Sequence, residues 1–238
     1  MRILLLNPNT TEAITQRLLA AAQAVAAPGT EILPLTAPRG VPYIASRAEA
    51  QIGGAIALEM LAEQHDEVDA AIIAAFGDPG LMGARELFDI PVIGMAEAAM
   101  LTACMLGRRF AIVTFARALG PWYEECVAMH GLEGRCAGIR MLDEGFADIA
   151  DVQEEKEAVI VELAHRAVVE DEADCVILAG APLAGLAAKV AERIPVPVVD
   201  QMGAALKPRK ASAGTFRRPP AKSTKGLAQE LAARIEGR

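Results

Sequence analysis

The chain contains two copies of one structural unit, and this internal duplication constrains its fold more than any other feature. The stretches "IIAAFGDPGL" (72–81) and "CVILAGAPLAGL" (175–186) both run from a short apolar segment into a turn rich in glycine and proline. Three further pairs extend the match at offsets of 105, 106 and 107 residues, respectively Asp69/Asp174, Pro91/Pro197 and Asn7/Thr114. An offset that drifts so little along the chain indicates a true duplication.

Short apolar runs alternate with helical patterns in both copies. "RILLL" (2–6) and "RFAIVT" (109–114) each open a copy as a strand, and an amphipathic segment follows each of them. This alternation predicts right-handed βαβ units on parallel sheets. We expect an α/β fold of two pseudo-symmetric lobes with parallel sheets flanked by helices and a cleft between them. Residues 1–101 plus 206–238 are assigned to the first lobe and residues 102–205 to the second.

The carboxyl ends of the strands are the expected ligand site, because open α/β sheets bind ligands there. The helices that begin near Asp78 and Pro182 offer N–H groups and a partial positive charge to an anion. A small anionic or carbonyl-rich ligand between the two lobes fits this arrangement. Alternatively, the glycine, alanine and proline residues only shape tight turns. The candidate binding residues at these ends are Asn7, Ala75, Phe76, Gly77, Asp78, Thr114, Gly180 and Ala181.

Composition argues against several classes of partner. The net charge of −8 disfavours nucleic acid, and no apolar run reaches the roughly 18 residues that a membrane span needs. The four cysteines show no CxxC spacing and no partnering histidines, so we expect free thiols, no bound metal and a cytoplasmic protein. No GxGxxG follows a strand, and no cofactor is predicted. We also expect a homo-oligomer.

Six motifs, in order over residues 1–206, resemble the aspartate/glutamate racemase superfamily and, within it, the hydantoin racemase branch. The motifs are "NPNT", "FGDPGL", "IPVIGMAEAAM", "IVT", "LAGLA" and "VPVVD". The resemblance implies two catalytic cysteines, one from each lobe, that remove and return a proton on opposite faces of one carbon. Carried onto this chain, those positions fall on Ala75 and Gly180, and neither residue can carry a proton.

Three functions remain open at this point. The chain is an enzyme of this superfamily that acts on a small carboxylate or a hydantoin-like ring without paired thiols, by lyase, decarboxylase or hydrolytic chemistry. Alternatively, it is a catalytically silent paralogue that binds such a ligand. In the third interpretation, it is a racemase whose acid and base are other residues.

The other polar and aromatic residues are predicted to cap helices, to pack inside strands, to lie on the surface or to line the cleft. Asp78 is expected to cap the helix that follows it, with Pro79 at the first helical position, and Glu97 to interact with the N-terminus of its own helix. Asn9 is predicted to cap the first helix, with Glu12 reaching back to it. Cys175 is expected to pack inside a strand. Two further sets of residues are a surface set, His65, His130 and His165, and a set able to line the cleft, Tyr43, Trp122 and Tyr123.

A basic segment ends the chain. Residues 207–238 carry a net charge of +7, whereas the rest of the chain carries −15. Residues 207–225 have the composition of a linker. "LAQELAARI" places apolar residues at 227, 231, 232 and 235, a pattern that predicts a short docked helix. We expect Phe216 to anchor the preceding segment and Arg217 or Arg218 to face acidic groups.

Overall fold

A computed structural model describes residues 1–143, 145–206 and 219–237. Its first half contains a parallel four-stranded sheet with the strand order β2-β1-β3-β4. The strands are β1 (Arg2–Asn7), β2 (Glu31–Thr36), β3 (Ala70–Ile73) and β4 (Val92–Gly94). The helices of this half are α1 (Glu12–Gln23), α2 (Arg47–Gln64), α3 (Leu81–Leu87) and α4 (Met95–Leu106).

The second half repeats this arrangement with the strand order β6-β5-β7-β8, again entirely parallel. The strands are β5 (Phe110–Thr114), β6 (Cys136–Met141), β7 (Cys175–Ala179) and β8 (Val198–Asp200). The helices are α5 (Gly120–Met129), α6 (Val152–Glu170), α7 (Leu186–Val190) and α8 (Gln201–Leu206). Each strand of the first sheet therefore has a counterpart four strands later, and the predicted duplicated α/β fold is confirmed.

Strand β1 shows how the sequence divides the core. Side chains alternate between the two faces of a strand. Ile3 and Leu5 accordingly join a large apolar cluster that also contains the second sheet and helix α4. Leu4 and Leu6 join a smaller cluster with residues of α2 and α3. The larger cluster includes buried residues of both sheets, so one apolar core connects the two halves of the molecule.

Both predicted side-chain caps on the first-half helices are wrong in detail. Helix α1 has Thr11 at its N-cap, and Asn9 accepts a hydrogen bond from the Thr11 N–H at 3.0 Å in the turn before the helix. The residue that caps α3 is Gly80, which adopts the left-handed conformation with φ +84°. The "NPNT" and "DPG" residues form turns before the helices, so each helix begins later than the spacing had suggested.

A further helix, α9 (Gln229–Glu236), follows the basic segment and packs near α2. Leu231 is buried in the smaller apolar cluster, and Ile235 is partly buried against it. Arg234 donates hydrogen bonds to Leu87 O at 2.6 Å and to Asp89 Oδ2 at 2.8 Å. The predicted docking of this helix is therefore confirmed. Phe216, predicted to anchor the basic segment, and Arg217 and Arg218, of which one was predicted to face acidic groups, lie outside the described residues.

Among the helices of the described ranges, none combines the length and the apolar character that crossing a membrane requires.

Candidate active site in the inter-sheet cleft

A small cavity lies at the carboxyl ends of the strands and is lined by residues of both halves. Its volume is about 30 Å³, enough for one or two water molecules. Ala75 and Gly180, the positions to which the resemblance assigns the thiols, line this same cavity. The full lining set is Asn9, Ile14, Tyr43, Ile44, Ala75, Phe76, Phe115, Trp122, Tyr123, Gly180, Ala181 and Pro182.

Aromatic rings fill most of the cleft. The chain has only nine aromatic residues, and six of them gather here: Tyr43, Phe76, Phe115, Trp122, Tyr123 and Phe146. The Tyr43 and Phe146 rings, one from each half, make an edge contact with a centroid distance of 6.1 Å, and Phe146 contacts Phe115 at 5.8 Å. The Phe76 and Tyr123 rings lie 4.7 Å apart. This clustering makes the cleft tight and apolar.

Gly180 occupies a backbone conformation that only glycine adopts readily, with φ +107°. A Cβ added at this position would overlap the Phe115 ring, whose Cδ1 would lie only 2.9 Å away. Phe115 thus occupies the space next to Gly180 into which a side chain would extend. In this structure the position cannot hold a thiol without movement of both the backbone and the ring.

Gln201 holds Gly180 in place. Its Oε1 accepts a hydrogen bond from the Gly180 N–H at 2.9 Å, and its Nε2 donates to the Gly180 carbonyl. The Gln201 side chain is fully buried, so both polar groups of its amide find partners on one residue. Gln201 was not among the site residues predicted from the sequence. A glutamine at the start of the otherwise apolar helix "QMGAAL" was the available signal.

Two other predicted site residues, Asn7 and Thr114, end equivalent strands but do not line the cavity. The Asn7 amide donates to Asn9 Oδ1 at 3.1 Å and to Thr15 Oγ1 at 2.9 Å. The Thr114 hydroxyl donates to the Ala179 carbonyl at 2.9 Å. Both side chains are fully buried. They support the strand ends from behind, and their polar groups already have partners.

Gly77 and Asp78 also lie beside the cavity rather than in its wall. Gly77 has φ +104° and packs directly against the indole of Trp122. The Asp78 carboxylate accepts hydrogen bonds from the Ala96 and Glu97 N–H groups, both at 2.8 Å. Asp78 therefore caps the N-terminus of α4, a different helix from the predicted one. Burial raises the pKa of Asp78, while His130 and the two N–H groups oppose that rise.

His130 was expected on the surface, and this prediction is wrong. Its side chain is only 6% exposed and lies between two carboxylates, with Nε2 3.7 Å from Asp78 Oδ2 and Nδ1 3.7 Å from Glu97 Oε1. Arg85 donates hydrogen bonds from both terminal nitrogens to the Glu97 carboxylate, at 2.9 and 2.5 Å. Burial opposes ionisation of Glu97, but Arg85 outweighs it and lowers the pKa of Glu97. The turn at the end of α5 carries His130 inward, which helical periodicity alone did not reveal.

All four cysteines are free thiols, as predicted, and Cys175 is buried inside β7. Burial raises the pKa of Cys175 to about 11. None of the four lines the cavity within the described part of the chain. The titratable side chains that do line it are Tyr43 and Tyr123. Burial raises the pKa of Tyr123 well above its ordinary value, so its phenol is a neutral hydrogen-bonding group at physiological pH.

Comparison with known proteins agrees with this architecture. The family model described as Asp/Glu/Hydantoin racemase matches residues 3–207. A hydantoin racemase of Pseudomonas sp. (strain NS671) is 34% identical over 208 residues, which are 87% of this chain and 84% of that protein. A hydantoin racemase of Paenarthrobacter aurescens is 33% identical over 207 residues, which are 86% and 88% of the two chains.

Solved structures extend the comparison. The allantoin racemase from Klebsiella pneumoniae superposes with a TM-score of 0.89 at 35% identity and covers 97% of this chain and 98% of its own. Arylmalonate decarboxylase, at 17% identity and a TM-score of 0.62 over 100% of both chains, shares the fold. The chain therefore belongs to the Asp/Glu/hydantoin racemase family.

Proposed function

We propose that this chain binds a small carboxylate or hydantoin-like molecule in its cleft and does not racemise it by the two-thiol route. The observation that carries this proposal is the pair Ala75 and Gly180 at one cavity, with Phe115 in the space beside Gly180. Two-base racemisation needs a proton donor and a proton acceptor on opposite faces of one carbon. Alanine and glycine supply neither.

The cavity wall offers no replacement pair. Tyr43 and Tyr123 are the titratable residues of its described lining, and the raised pKa of Tyr123 makes it a poor base near neutral pH. A catalytically silent, ligand-binding paralogue is therefore the function that the site supports best. We also propose that the protein is homo-oligomeric, cytoplasmic and cofactor-independent.

Ligand entry requires the cleft to open. Pockets that bind small molecules usually enclose about 300–1,000 Å³, far more than the roughly 30 Å³ observed. Tyr43 and Phe146 are the movable part in this proposal, because they meet edge to edge from opposite halves and Tyr43 is 36% exposed. Displacing these two rings would expose aromatic faces, Asn9 and the backbone after Gly180. The names of the relatives, hydantoin racemase and allantoin racemase, suggest the class of ring that fits there.

The decisive test is exchange of the substrate proton for deuterium. The purified protein is incubated in deuterated buffer with allantoin, a 5-substituted hydantoin, aspartate or glutamate, and exchange is followed by NMR. We expect rates equal to the protein-free control, because loss of each acid–base group typically costs about 10²–10⁴-fold. The Klebsiella pneumoniae allantoin racemase serves as the positive control. Exchange that depends on this protein would overturn the proposal.

Binding is measured separately by saturation-transfer NMR with the same compounds. We expect saturation of the hydantoin or carboxylate ligand by the protein, and faster association with Tyr43→Ala because the mouth is then open. Disappearance of the ligand over time, without exchange, would instead identify lyase or hydrolytic chemistry. If none of the compounds contacts the protein, the binding half of the proposal fails.

A further inference from the structure

Three side chains with metal-binding atoms converge beneath the loop that follows β3. The carboxylate of Asp78, the thiol of Cys126 and the imidazole of His130 have ligand atoms that all lie within 4.8 Å of one another. Cys126 and His130 are four residues apart at the end of α5, which places them on one face of the helix. None of the three lines the aromatic cavity. The cluster is therefore separate from the cavity that Ala75 and Gly180 line.

The imidazole of His130 gives independent evidence for a ligand at this cluster. Its Nε2 is buried and has no hydrogen-bond partner among the described residues. It lies 3.7 Å from Asp78 Oδ2, too far for a hydrogen bond. A buried polar atom left unpaired is costly. Two ligands on a tetrahedral zinc ion, each about 2.0–2.2 Å from the metal, are separated by roughly 3.4 Å, close to the distance observed.

The surroundings resemble the support that metal ligands receive in proteins. The Ala96 and Glu97 N–H groups orient the Asp78 carboxylate. On the other side of the His130 ring, Nδ1 faces the Glu97 carboxylate, which Arg85 fixes with two hydrogen bonds. In metal sites a carboxylate that accepts a hydrogen bond from the far nitrogen of a ligating histidine fixes its tautomer; at 3.7 Å, Glu97 favours this ring orientation by its charge rather than by a hydrogen bond. This arrangement leaves Nε2 to face the cluster.

A route from solvent reaches the cluster. Cys126 lines a groove of about 450 Å³ that runs between α2, the loop at residues 77–80 and α5. The exposed residues Arg47 and Met129 lie on the same groove. An ion held by three protein atoms could keep its fourth position, with a water molecule, toward this opening.

We propose that Asp78, Cys126 and His130 form a binding site for a divalent transition-metal ion, with Zn²⁺ as the best match. One thiolate, one imidazole and one carboxylate form a donor set that suits this borderline ion better than Mg²⁺ or Ca²⁺, which prefer oxygen ligands. Binding releases the thiol proton of Cys126 to solvent. The three ligand atoms already lie within 4.8 Å of one another, so the site needs only side-chain adjustments to reach tetrahedral distances.

Cobalt titration tests the site, because a thiolate bound to Co²⁺ produces a charge-transfer band. The full-length protein is stripped with a chelator and titrated with Co²⁺ while the near-ultraviolet spectrum is recorded. We expect one equivalent of Co²⁺ to bind and to produce this band. Added Zn²⁺ should displace the Co²⁺ and remove the band. A hundredfold excess of Zn²⁺ over its Kd should raise the melting temperature by several degrees.

Matched variants assign the ligands. Cys126→Ser should abolish the band, and His130→Gln should weaken Co²⁺ affinity by at least about tenfold. The controls are Cys136→Ser, which alters a thiol outside the cluster, and His165→Gln, which alters an exposed histidine on α6; both should bind as the parent does. Melting curves without metal establish that each variant folds. Absence of a stoichiometric site, or a band that survives Cys126→Ser, would refute the proposal.

Discussion

The two corners that follow β3 and β7 occupy equivalent places in the duplicated fold, yet they differ where chemistry would be expected. Both corners enter their helix through a left-handed glycine, Gly80 with φ +84° and Gly185 with φ +83°. Five residues earlier the equivalence fails, because Ala75 does not have a positive φ whereas Gly180 has φ +107°. The helix start was retained in both copies, while the position facing the cleft diverged.

This difference bears on the proposal that the two thiols of the family are absent here, because the two halves differ in how readily each position could hold a thiol. The first corner lacks only a side-chain atom at Ala75. The second corner is built around a glycine, with the Gln201 amide bonded to its backbone and the Phe115 ring packed against it. Introducing a thiol should therefore be a local change in the first half and a disruptive one in the second.

The largest effect is expected from Gly180→Cys. The left-handed backbone strain costs about 1–3 kcal/mol, and the overlap with Phe115 adds about 1–3 kcal/mol of overpacking. We predict a loss of about 2–6 kcal/mol in the free energy of unfolding, measured by urea denaturation. Ala75→Cys in the equivalent corner should change it by no more than about 1 kcal/mol.

Gly29→Ala is the matched control for strain without crowding. Gly29 has φ +80°, and an added Cβ there would meet no atom within 4 Å. A Gly180 variant as stable as the Gly29 variant would show that Phe115 gives way freely, and the contrast between the two corners would then lose its basis.

The carboxylates that tie each corner to the next helix offer a second comparison. Asp78 accepts from two N–H groups of α4, and Asp200 accepts from the Met202, Gly203 and Gly185 N–H groups at 2.6–3.0 Å. Asp78 is buried and Asp200 is partly exposed. We predict that Asp78→Ala, in the presence of a chelator, destabilises by about 2–4 kcal/mol and Asp200→Ala by about 1–2 kcal/mol.

Thermal and urea denaturation of the two alanine variants measure this difference. Water can reach the N–H groups left behind at Asp200 more easily than those at Asp78, which is the reason for the expected order. Equal losses would mean that burial does not distinguish these two caps.

A third comparison uses the glycines that both corners share. Gly80→Ala and Gly185→Ala carry the same left-handed strain of about 1–2 kcal/mol. At Gly80 the added Cβ would lie 2.8 Å from the Gly54 carbonyl oxygen, whereas at Gly185 its nearest neighbour is Ala21 Cβ at 3.6 Å. Gly80→Ala should therefore cost about 1–2 kcal/mol more. Indistinguishable urea midpoints would imply that α2 can move away from this loop.

The smallest effect concerns the acid limb of the stability curve. The pKa of Glu97 is lowered in the folded protein, because Arg85 outweighs the opposing effect of burial. A carboxyl group with a lowered folded-state pKa contributes stability above its unfolded value, here 4.5, and loses that contribution as the pH falls through the folded value. At pH 7 the free energy of unfolding of wild type should exceed that of Glu97→Gln by about 1 kcal/mol, and this gap should close toward pH 3.

Urea denaturation at several pH values measures this gap. Glu155→Gln, which alters another glutamate in the first turn of a helix in the second half, serves as the comparison. A Glu97 gap that stays constant with pH would contradict the assigned ion pair.

The sequence predicted the fold well because duplication, alternation and short apolar runs are properties of the chain itself. The cleft was predicted less completely. Ala75, Phe76, Gly180 and Ala181 were identified by the strand-end rule, and they do line one cavity. Phe115 and Phe146 were not, because nothing local to a phenylalanine shows which distant loop it will contact. His130 and Asp78 were misplaced for a similar reason. Asp78 contacts His130, which is 52 residues away in the sequence, and accepts hydrogen bonds from α4 rather than from the helix that follows it.

Trp122 is the one tryptophan of the chain, and it lies in the wall of the cleft, 8% exposed, with its indole against Gly77. Intrinsic fluorescence excited at the indole band therefore reports on this place alone. Opening of the Tyr43–Phe146 mouth should shift the emission to longer wavelength as water reaches the indole. Cys126 stands one helical turn further along α5, so an ion there should alter the same signal, and the two events can be followed in one cuvette without a label.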